Sequence, residues 1–320
     1  MKTIAKSSKI FLAGHKGLVG NSILNNLKHQ GYRNVITRTS NELDLTKQSD
    51  VNKFFKKEKF DFVILAAARA GGIKANIDNK SEFIQKNLMI ALNVINFSYK
   101  NKIKNLIFFA SNCIYPKFSS QPIKEKYLLT GELDESISYY AIAKISGLKL
   151  CQAYNRQYNT KYRTLIPPNL FGFNDNFNLS TAHVLPSLLF KFHNAKKKSL
   201  KSVNVWGSGE QTREFLYVED LSNFIIYLMK NWAKADNYFV DKTYVNVGTG
   251  IETSIKELSM KIADLVKYKG KIIFDKDKPI GTPRKVLDVS LVNQYGWKSA
   301  TNLIEGIKIT YDWYSKNEAK

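Results

Sequence analysis

Two residues four apart carry the clearest chemistry in this chain of 320 residues. Tyr140 and Lys144 bound the run Tyr140-Ala141-Ile142-Ala143-Lys144, at the start of a stretch with helical apolar spacing, so their side chains share one helix face. A phenol of pKa about 10 moves protons poorly at neutral pH until a nearby positive charge favours its phenolate. Lys144 can supply that charge and can also hold a ribose. Neighbouring Tyr139 cannot play the same part, because its fourth successor is Ala143. Ser111 ends the apolar run Leu106 to Ala110, where a hydroxyl can hydrogen-bond the same substrate oxygen. The sequence holds two cysteines, Cys113 and Cys151, and Cys113 follows Ser111 by two residues.

A second group of residues can hold phosphate. Gly14-His15-Lys16-Gly17-Leu18-Val19-Gly20 sets three glycines between the apolar run Lys9 to Ala13 and a helical pattern from Leu18 to Gln30. Backbone amides and the helix dipole there can bind a pyrophosphate, and a side chain at Gly14 or Gly17 would obstruct its approach. His15 is expected to shape this loop. After the next apolar run an NAD-binding fold offers an acidic residue to the ribose 2′-hydroxyl; here Thr37-Arg38-Thr39-Ser40 stands instead. Arg38 and Lys16 can pair with a 2′-phosphate, which favours NADP(H) over NAD(H). Asp44 and Leu45 are expected at the edge of the adenine pocket. Ala66, Ala67 and Ala68 are small enough for a cofactor to lie against their backbone.

These residues need a frame that presents loops at one edge, and the hydrophobic pattern supplies it. Strands are predicted at Lys9 to Ala13, Val35 to Thr37, Phe60 to Ala66 and Leu106 to Ala110. Helices are predicted at Leu18 to Gln30, Val51 to Phe55, Phe83 to Tyr99 and Tyr139 to Tyr158. The alternation implies an α/β fold of Rossmann type, a doubly wound parallel sheet with its ligand at the carboxyl ends of the strands. Beyond Pro167 the pattern loosens, which suits a smaller substrate domain. Residues 1–171 are therefore expected to form the NADP-binding domain and residues 172–320 a smaller α/β substrate domain. A segment near residues 214–250 is expected to return to the first domain.

The net charge of +22 favours anionic partners. Its lysines are scattered, and the densest cluster, Lys196 to Lys198, has no aromatic interleaving, so phosphorylated small molecules fit better than nucleic acid. His29 and His193 read as surface residues. No apolar run suits a membrane span or a secretory signal, and together with the low cysteine content this leads us to expect a cytoplasmic protein with reduced thiols.

In order along the chain, the glycine loop, Ser111 and the Tyr140/Lys144 pair resemble the extended short-chain dehydrogenase/reductases that act on nucleotide sugars. Within that group the sequence resembles the GDP-L-fucose synthase family over nearly its whole length. The matching runs are Ala13-Gly14-His15-Lys16-Gly17, Ala66-Ala67-Ala68 with Gly71-Gly72-Ile73, Ser111-Asn112-Cys113-Ile114-Tyr115-Pro116, Tyr140 to Lys144, and Tyr154-Asn155-Arg156-Gln157-Tyr158. They continue through Asn169-Leu170-Phe171-Gly172, Asp175-Asn176-Phe177, His183-Val184-Leu185-Pro186, Val205-Trp206-Gly207-Ser208-Gly209, Arg213-Glu214-Phe215 and Gly281-Thr282-Pro283-Arg284-Lys285.

The resemblance implies two reactions in one pocket: epimerisation at C3 and C5 of GDP-4-keto-6-deoxy-D-mannose, then hydride transfer from NADPH to C4. Tyr140 and Ser111 would stabilise the enolate. Cys113 would be the base, if its thiol pKa is lowered, and His183 the acid that returns the proton. Pro167, Asn169, Leu170 and His183 would join Tyr140 and Lys144 around the cofactor. Asn169, Lys191, Trp206, Arg213 and Asp275 would meet the GDP-sugar, Arg213 through its diphosphate. No residue is assigned to a metal. A homodimer through the helices of the first domain is implied as well. Two departures stand out: Lys191 replaces a common arginine, giving charge without the bidentate fork, and Pro167-Pro168 precedes Asn169 where a less rigid pair is usual.

Other readings stay open at this point. One is a C4-reductase or epimerase-reductase of another GDP-4-keto sugar, for example a 6-deoxy-heptose. Another is an NAD-dependent nucleotide-sugar 4-epimerase or dehydratase, disfavoured because dehydratases place acidic residues after the serine, where this chain has Asn112 and Cys113. A cofactor-sensing regulator on the same fold would have no need of Ser111, Tyr140 and Lys144 together.

Overall fold

In the first strand, β1 (Ile10–Ala13, IFLA), all four residues are buried, as a strand covered on both faces must be. The structure, a computed structural model, describes residues 3–278 and 281–317; the outermost ends of the two expected domains lie outside them. From β1 the chain continues through α1 (Leu18–His29), β2 (Val35–Ile36), α2 (Gln48–Glu58), β3 (Phe62–Leu65), α3 (Ile73–Asp78), α4 (Lys80–Lys100), β4 (Asn105–Phe109), α5 (Ser138–Tyr158) and β5 (Lys161–Ile166). It then runs through β6 (Asn169–Phe171), α6 (Val184–Lys197), β7 (Ser202–Trp206), β8 (Thr212–Tyr217), α7 (Val218–Lys230), β9 (Tyr244–Asn246) and β10 (Glu252–Ser254). Last come α8 (Ile255–Val266), β11 (Lys271–Asp275), β12 (Arg284–Lys285), α9 (Ser290–Gln294) and α10 (Leu303–Asn317).

Six strands form one parallel sheet in the order β2-β1-β3-β4-β5-β9. Alternate side chains serve opposite faces. Ile10, Leu12, Phe62, Ile64, Ile107 and Phe109 pack with residues of α1 and α7. Phe11, Val63, Leu65, Leu106 and Phe108 pack on the other face with residues of α2, α4 and α5. The chain lays β2 on one side of β1 and then crosses to lay β3 on the other. The carboxyl ends of β1 and β3 thus flank the crevice where such sheets bind ligands. The glycine loop leaves β1 there and Ala66 leaves β3, its amide donating to Ala13 O at 3.0 Å.

Strand β9 pairs with the sheet's edge at β5, and α7 packs on α1. A separate core forms beneath the short strands β7, β8 and β11 and helices α6, α8 and α10, around Leu189, Phe192, Leu258 and Ile262. One buried carboxylate clasps this body to the sheet. Glu214, in β8, accepts from the amides of Thr249, Gly250 and Leu287, the last two at 2.9 and 2.7 Å, and from the Thr249 hydroxyl. Gly248 must be bare there, since a Cβ would stand 2.1 Å from Glu214 Oε1.

Strand β5, KYRTLI, was not predicted from the sequence, since three of its first four residues are polar or charged although five of its six are buried. Its central residue Arg163 is fully buried, held by Asp236 and by the faces of Trp232 and Phe239. A charged residue at its centre hides a strand whose charge is satisfied only by distant elements.

Candidate active site

Strand β4 ends with the Ala110 amide donating to Leu165 O at 2.9 Å, and the chain then runs extended through Ser111 into a single tight turn, Asn112–Ile114. The Asn112 amide donates to Pro167 O at 3.1 Å, which fixes that turn against the neighbouring strand end. Cys113 is thereby held 5% exposed in the wall of a cavity of about 430 Å³. Helix α5 enters from Asp134, whose carboxylate accepts from the Ser136 amide and hydroxyl and from the Thr282 hydroxyl. Tyr140 lies in the first turn of α5, its ring edge-on to Phe83 with centroids 6.1 Å apart. His183 caps α6 across the cavity.

Ser111, Cys113, Tyr140 and His183 therefore line one cavity, and Asn169, Lys191, Trp206 and Arg213 line it too. Trp206 is 38% exposed, so its indole is an open wall for a flat ligand group rather than core. Lys191 donates to Asn204 O at 2.9 Å, and burial pulls its ammonium below the ordinary value. Burial brings Arg213 down to about 10, against the pull of Asp134. Asp275 ends β11 beside Trp206, accepts from the Asp277 amide at 3.3 Å, and is not brought into the cavity.

Two electrostatic expectations need correction. Burial, which disfavours a buried anion, pushes the Cys113 thiol up; Lys285, a hydrogen bond with Ser111, and Lys144 only partly offset it. The lowered thiol pKa expected of a base is therefore not a property of Cys113 in the protein alone. Burial likewise raises the Tyr140 phenol above 10, and Lys144 does not lower it. Lys144 is buried, spends its ammonium on Phe109 O at 2.9 Å, and is brought down to about 8 by desolvation. The Lys144 ammonium lies 5.6 Å from the centre of the Tyr140 ring, so the two share one helix face as the spacing predicts. His183 opens onto the cavity, yet the protein around its ring presses the imidazole below its ordinary value.

The glycine loop fits a dinucleotide by its sterics. A Cβ on Gly20 would stand 2.1 Å from Gly14 O, and one on Gly14 would stand 2.5 Å from the Ala67 amide nitrogen. Gly14 also has a φ of +88°, open to glycine and strained for other residues. These two glycines serve the protein's own packing. At Gly17 a Cβ would meet nothing nearer than Gly14 O at 3.6 Å, so the space beside it is open. Gly17 begins α1 with no side-chain cap and no acidic residue in the first turn, which leaves amides facing that space as an anion site requires.

Leu18 and Val19 follow on α1, and Lys16 is exposed. Arg38 lies over the Phe54 ring at 5.3 Å, donates to Thr37 O, and meets Glu58 only at a long 3.4 Å. Asp44 accepts from the Thr46 amide and hydroxyl, and Asn93 holds the Leu45 and Thr46 carbonyls, so this corner is braced from α4. Pro167 and Leu170 frame Asn169, whose amide donates to Glu214 O at 3.1 Å.

Sequence reasoning passed over Lys285, Asp134 and Gln211, all buried and all lining the cavity. Arg284 and Lys285 make a two-residue strand, one exposed and one buried, too short for periodicity to mark. The run Gly281 to Lys285 was the available signal.

A parallel sheet with a phosphate loop, a Tyr-x-x-x-Lys helix and a serine at the end of β4 defines a nicotinamide-dependent enzyme of the short-chain dehydrogenase type. Accordingly, residues 10–248 match the NAD dependent epimerase/dehydratase family. The chain is 46% identical to GDP-L-fucose synthase 1 of Arabidopsis thaliana, over 98% of its length and 94% of that protein's. It is 44% identical to GDP-L-fucose synthase of Escherichia coli, over 97% of both chains. Among solved structures, a GDP-mannoheptose C4 reductase from Campylobacter jejuni with NADP bound superposes with a TM-score of 0.88 at 38% identity, covering 97% of this chain and 99% of that one. The chain belongs to the GDP-L-fucose synthase family.

Proposed function

We propose that this protein converts GDP-4-keto-6-deoxy-D-mannose to GDP-L-fucose, by epimerisation at C3 and C5 followed by NADPH-dependent reduction at C4. The observation that carries the reading is the meeting of Ser111, Cys113, Tyr140 and His183 in one cavity with the exposed face of Trp206 and the cations Lys191 and Arg213. NADPH, held at the Gly14 to Gly20 loop with Lys16 and Arg38 toward its 2′-phosphate, supplies the hydride. Residues 1–171 with the returning stretch near 214–250 hold it, and residues 172–320 hold most of the GDP-sugar.

The chain's own groups divide the work. Tyr140 and Ser111 donate hydrogen bonds to the C4 oxygen, which makes the neighbouring C–H bonds acidic. The Cys113 sulfur takes the proton from one face, and His183, protonated from water at the cavity mouth against the lowering effect of its buried surroundings, returns that proton to the other. Tyr140 then protonates the C4 oxygen, a task suited to a phenol that burial keeps protonated. Arg213 and Lys191 neutralise the diphosphate, and Trp206 offers a face for the base.

Reduction without epimerisation of another GDP-4-keto sugar is the second reading, supported by the likeness to the mannoheptose C4 reductase. Incubation with GDP-4-keto-6-deoxy-D-mannose in deuterated water, with NADPH or NADH, decides between them. GDP-L-fucose carrying deuterium at C3 and C5 is the expected product, faster with NADPH; a D-configured product without deuterium selects the second reading. Met89, Leu92, Ile142 and Tyr158 lie exposed on α4 and α5 and support a homodimer through these helices. No helix among the described residues is long and apolar enough to cross a membrane. Two free, buried cysteines suit the cytoplasm.

A further inference from the structure

Lys285 is a lysine buried in the wall of the cavity, 7% exposed, whose side chain has no hydrogen bond or ion pair among the described residues. The other buried lysine and arginine among the described residues are spoken for: Lys144 by the Phe109 carbonyl, and Arg163 by Asp236 and two carbonyls. An ammonium without partners inside a protein is costly to keep, and it persists where something else in the site answers it. Lys285 and Cys113 line the same cavity and act on each other's charge. Lys285 is the foremost favourable influence on a Cys113 thiolate, and Cys113 the foremost on a Lys285 ammonium.

We propose that Lys285 is a positioning residue for Cys113: its ammonium, in the lining of the same cavity as the sulfur, stabilises the thiolate with which Cys113 removes the substrate's C–H proton. This rests on the assignment of Cys113 as base. The S–H proton leaves to water through the cavity mouth, the anionic sulfur remains opposite the ammonium, and the sulfur regains a proton when it deprotonates carbon. The amine itself exchanges no proton with substrate.

The other charged and titratable groups around the pair do not replace Lys285. Asp134, from the turn before α5, favours the Lys285 ammonium; its oxygens accept from Ser136 and Thr282. Arg213, from β8, repels the Lys285 ammonium and lies beside Asp134. Lys144, from α5, acts on Cys113 more weakly than Lys285 does and is tied to Phe109. Tyr140 is a phenol without positive charge, and burial lowers the His183 imidazole, so neither offers a fixed positive charge. Desolvation pulls Lys285 itself down to about 8, which places its loss of charge close to the working range.

The test reads the thiol directly and needs no substrate, so it succeeds or fails independently of the reaction assigned above. The full chain is alkylated with iodoacetamide across a pH series, and peptide mass spectrometry follows Cys113 apart from the fully buried Cys151. Lys285→Met is expected to raise the pH midpoint of Cys113 alkylation by at least about one unit, a tenfold slower reaction on the rising limb. Lys285→Arg is expected to restore most of it. An unchanged midpoint in Lys285→Met overturns the proposal, including the case where the variant merely raises KM, which would make Lys285 a substrate anchor. If Lys285→Met fails to fold, Cys113→Ser reads the same coupling from the other side. Acylation of Lys285 by acetic anhydride then moves to lower pH, and an unmoved profile equally overturns it.

Discussion

Replacing Tyr140 by Phe removes one oxygen and leaves the edge-on contact with Phe83 in place, so the cavity wall and α5 should persist. On the proposed assignment, the proton that the phenol delivers to the C4 oxygen then has to come from water. Loss of a positioned general acid costs about 10²- to 10⁴-fold, or about 2.7–5.5 kcal/mol of activation free energy. The structure argues for the upper half of that range, because the neighbours leave few substitutes. Lys144 is bound to the Phe109 carbonyl, and Cys113 is a thiol pushed up by burial. The assay is NADPH oxidation at saturating keto-sugar, with NADPH affinity and thermal unfolding measured alongside and expected near wild type. The pH profile of the wild type is the second readout. Tyr140 stays protonated throughout the ordinary range, so no limb should belong to it. Lys144 carries its charge below about 8 and loses it as the pH rises past that value, so the rate should fall on the alkaline side. Turnover within threefold of wild type in Tyr140→Phe would refute the assignment of Tyr140 as a protonated acid.

Cys113→Ser keeps the shape of the turn but carries a far weaker base, so exchange of solvent deuterium into C3 and C5 should fall at least about 10²-fold while slow reduction of the unepimerised ketone survives; normal GDP-L-fucose formation would make the thiol packing only. Arg38→Ala should weaken NADPH by roughly 10- to 150-fold, the worth of a charge-assisted contact of about 1.5–3 kcal/mol, and leave NADH almost untouched in equilibrium titrations; equal losses would mean that Arg38 does not read the 2′-phosphate. Gly20→Ala forces a Cβ to within 2.1 Å of Gly14 O, so the loop or α1 must shift. Urea unfolding should show a loss of about 2–4 kcal/mol, and a midpoint like that of wild type would mean that the contact is easily relieved.

The fold was legible because its first half repeats one physical pattern. Apolar runs such as Ile10–Ala13 and Phe62–Leu65 alternate with helices whose spacing is unambiguous, and the glycines mark the turn between β1 and α1. Residues within one local motif were equally readable: Tyr140 and Lys144 meet because four positions make one helical turn. Cys113, His183 and Trp206 take their roles only through family resemblance, since a tight turn, a helix cap and a strand end on separate elements bring them together. Lys285 was invisible for the same reason, as was the sign of the Cys113 shift. Burial is a property of the assembled wall, and it runs against the lowered thiol pKa that the role implied by the family resemblance requires.

Glu214 sets how this molecule can move. One carboxylate holds the chain after β9, the chain after β12 and the strand that carries Arg213, so any opening of the two cores about a hinge would strip several donors from a single buried anion. With charge-assisted bonds of about 1.5–3 kcal/mol each, that opening is far costlier than thermal motion supplies. A ligand entering by the loops and side chains at the mouth would, on the proposed reading, meet base, acid and reductant within walls braced by that one carboxylate.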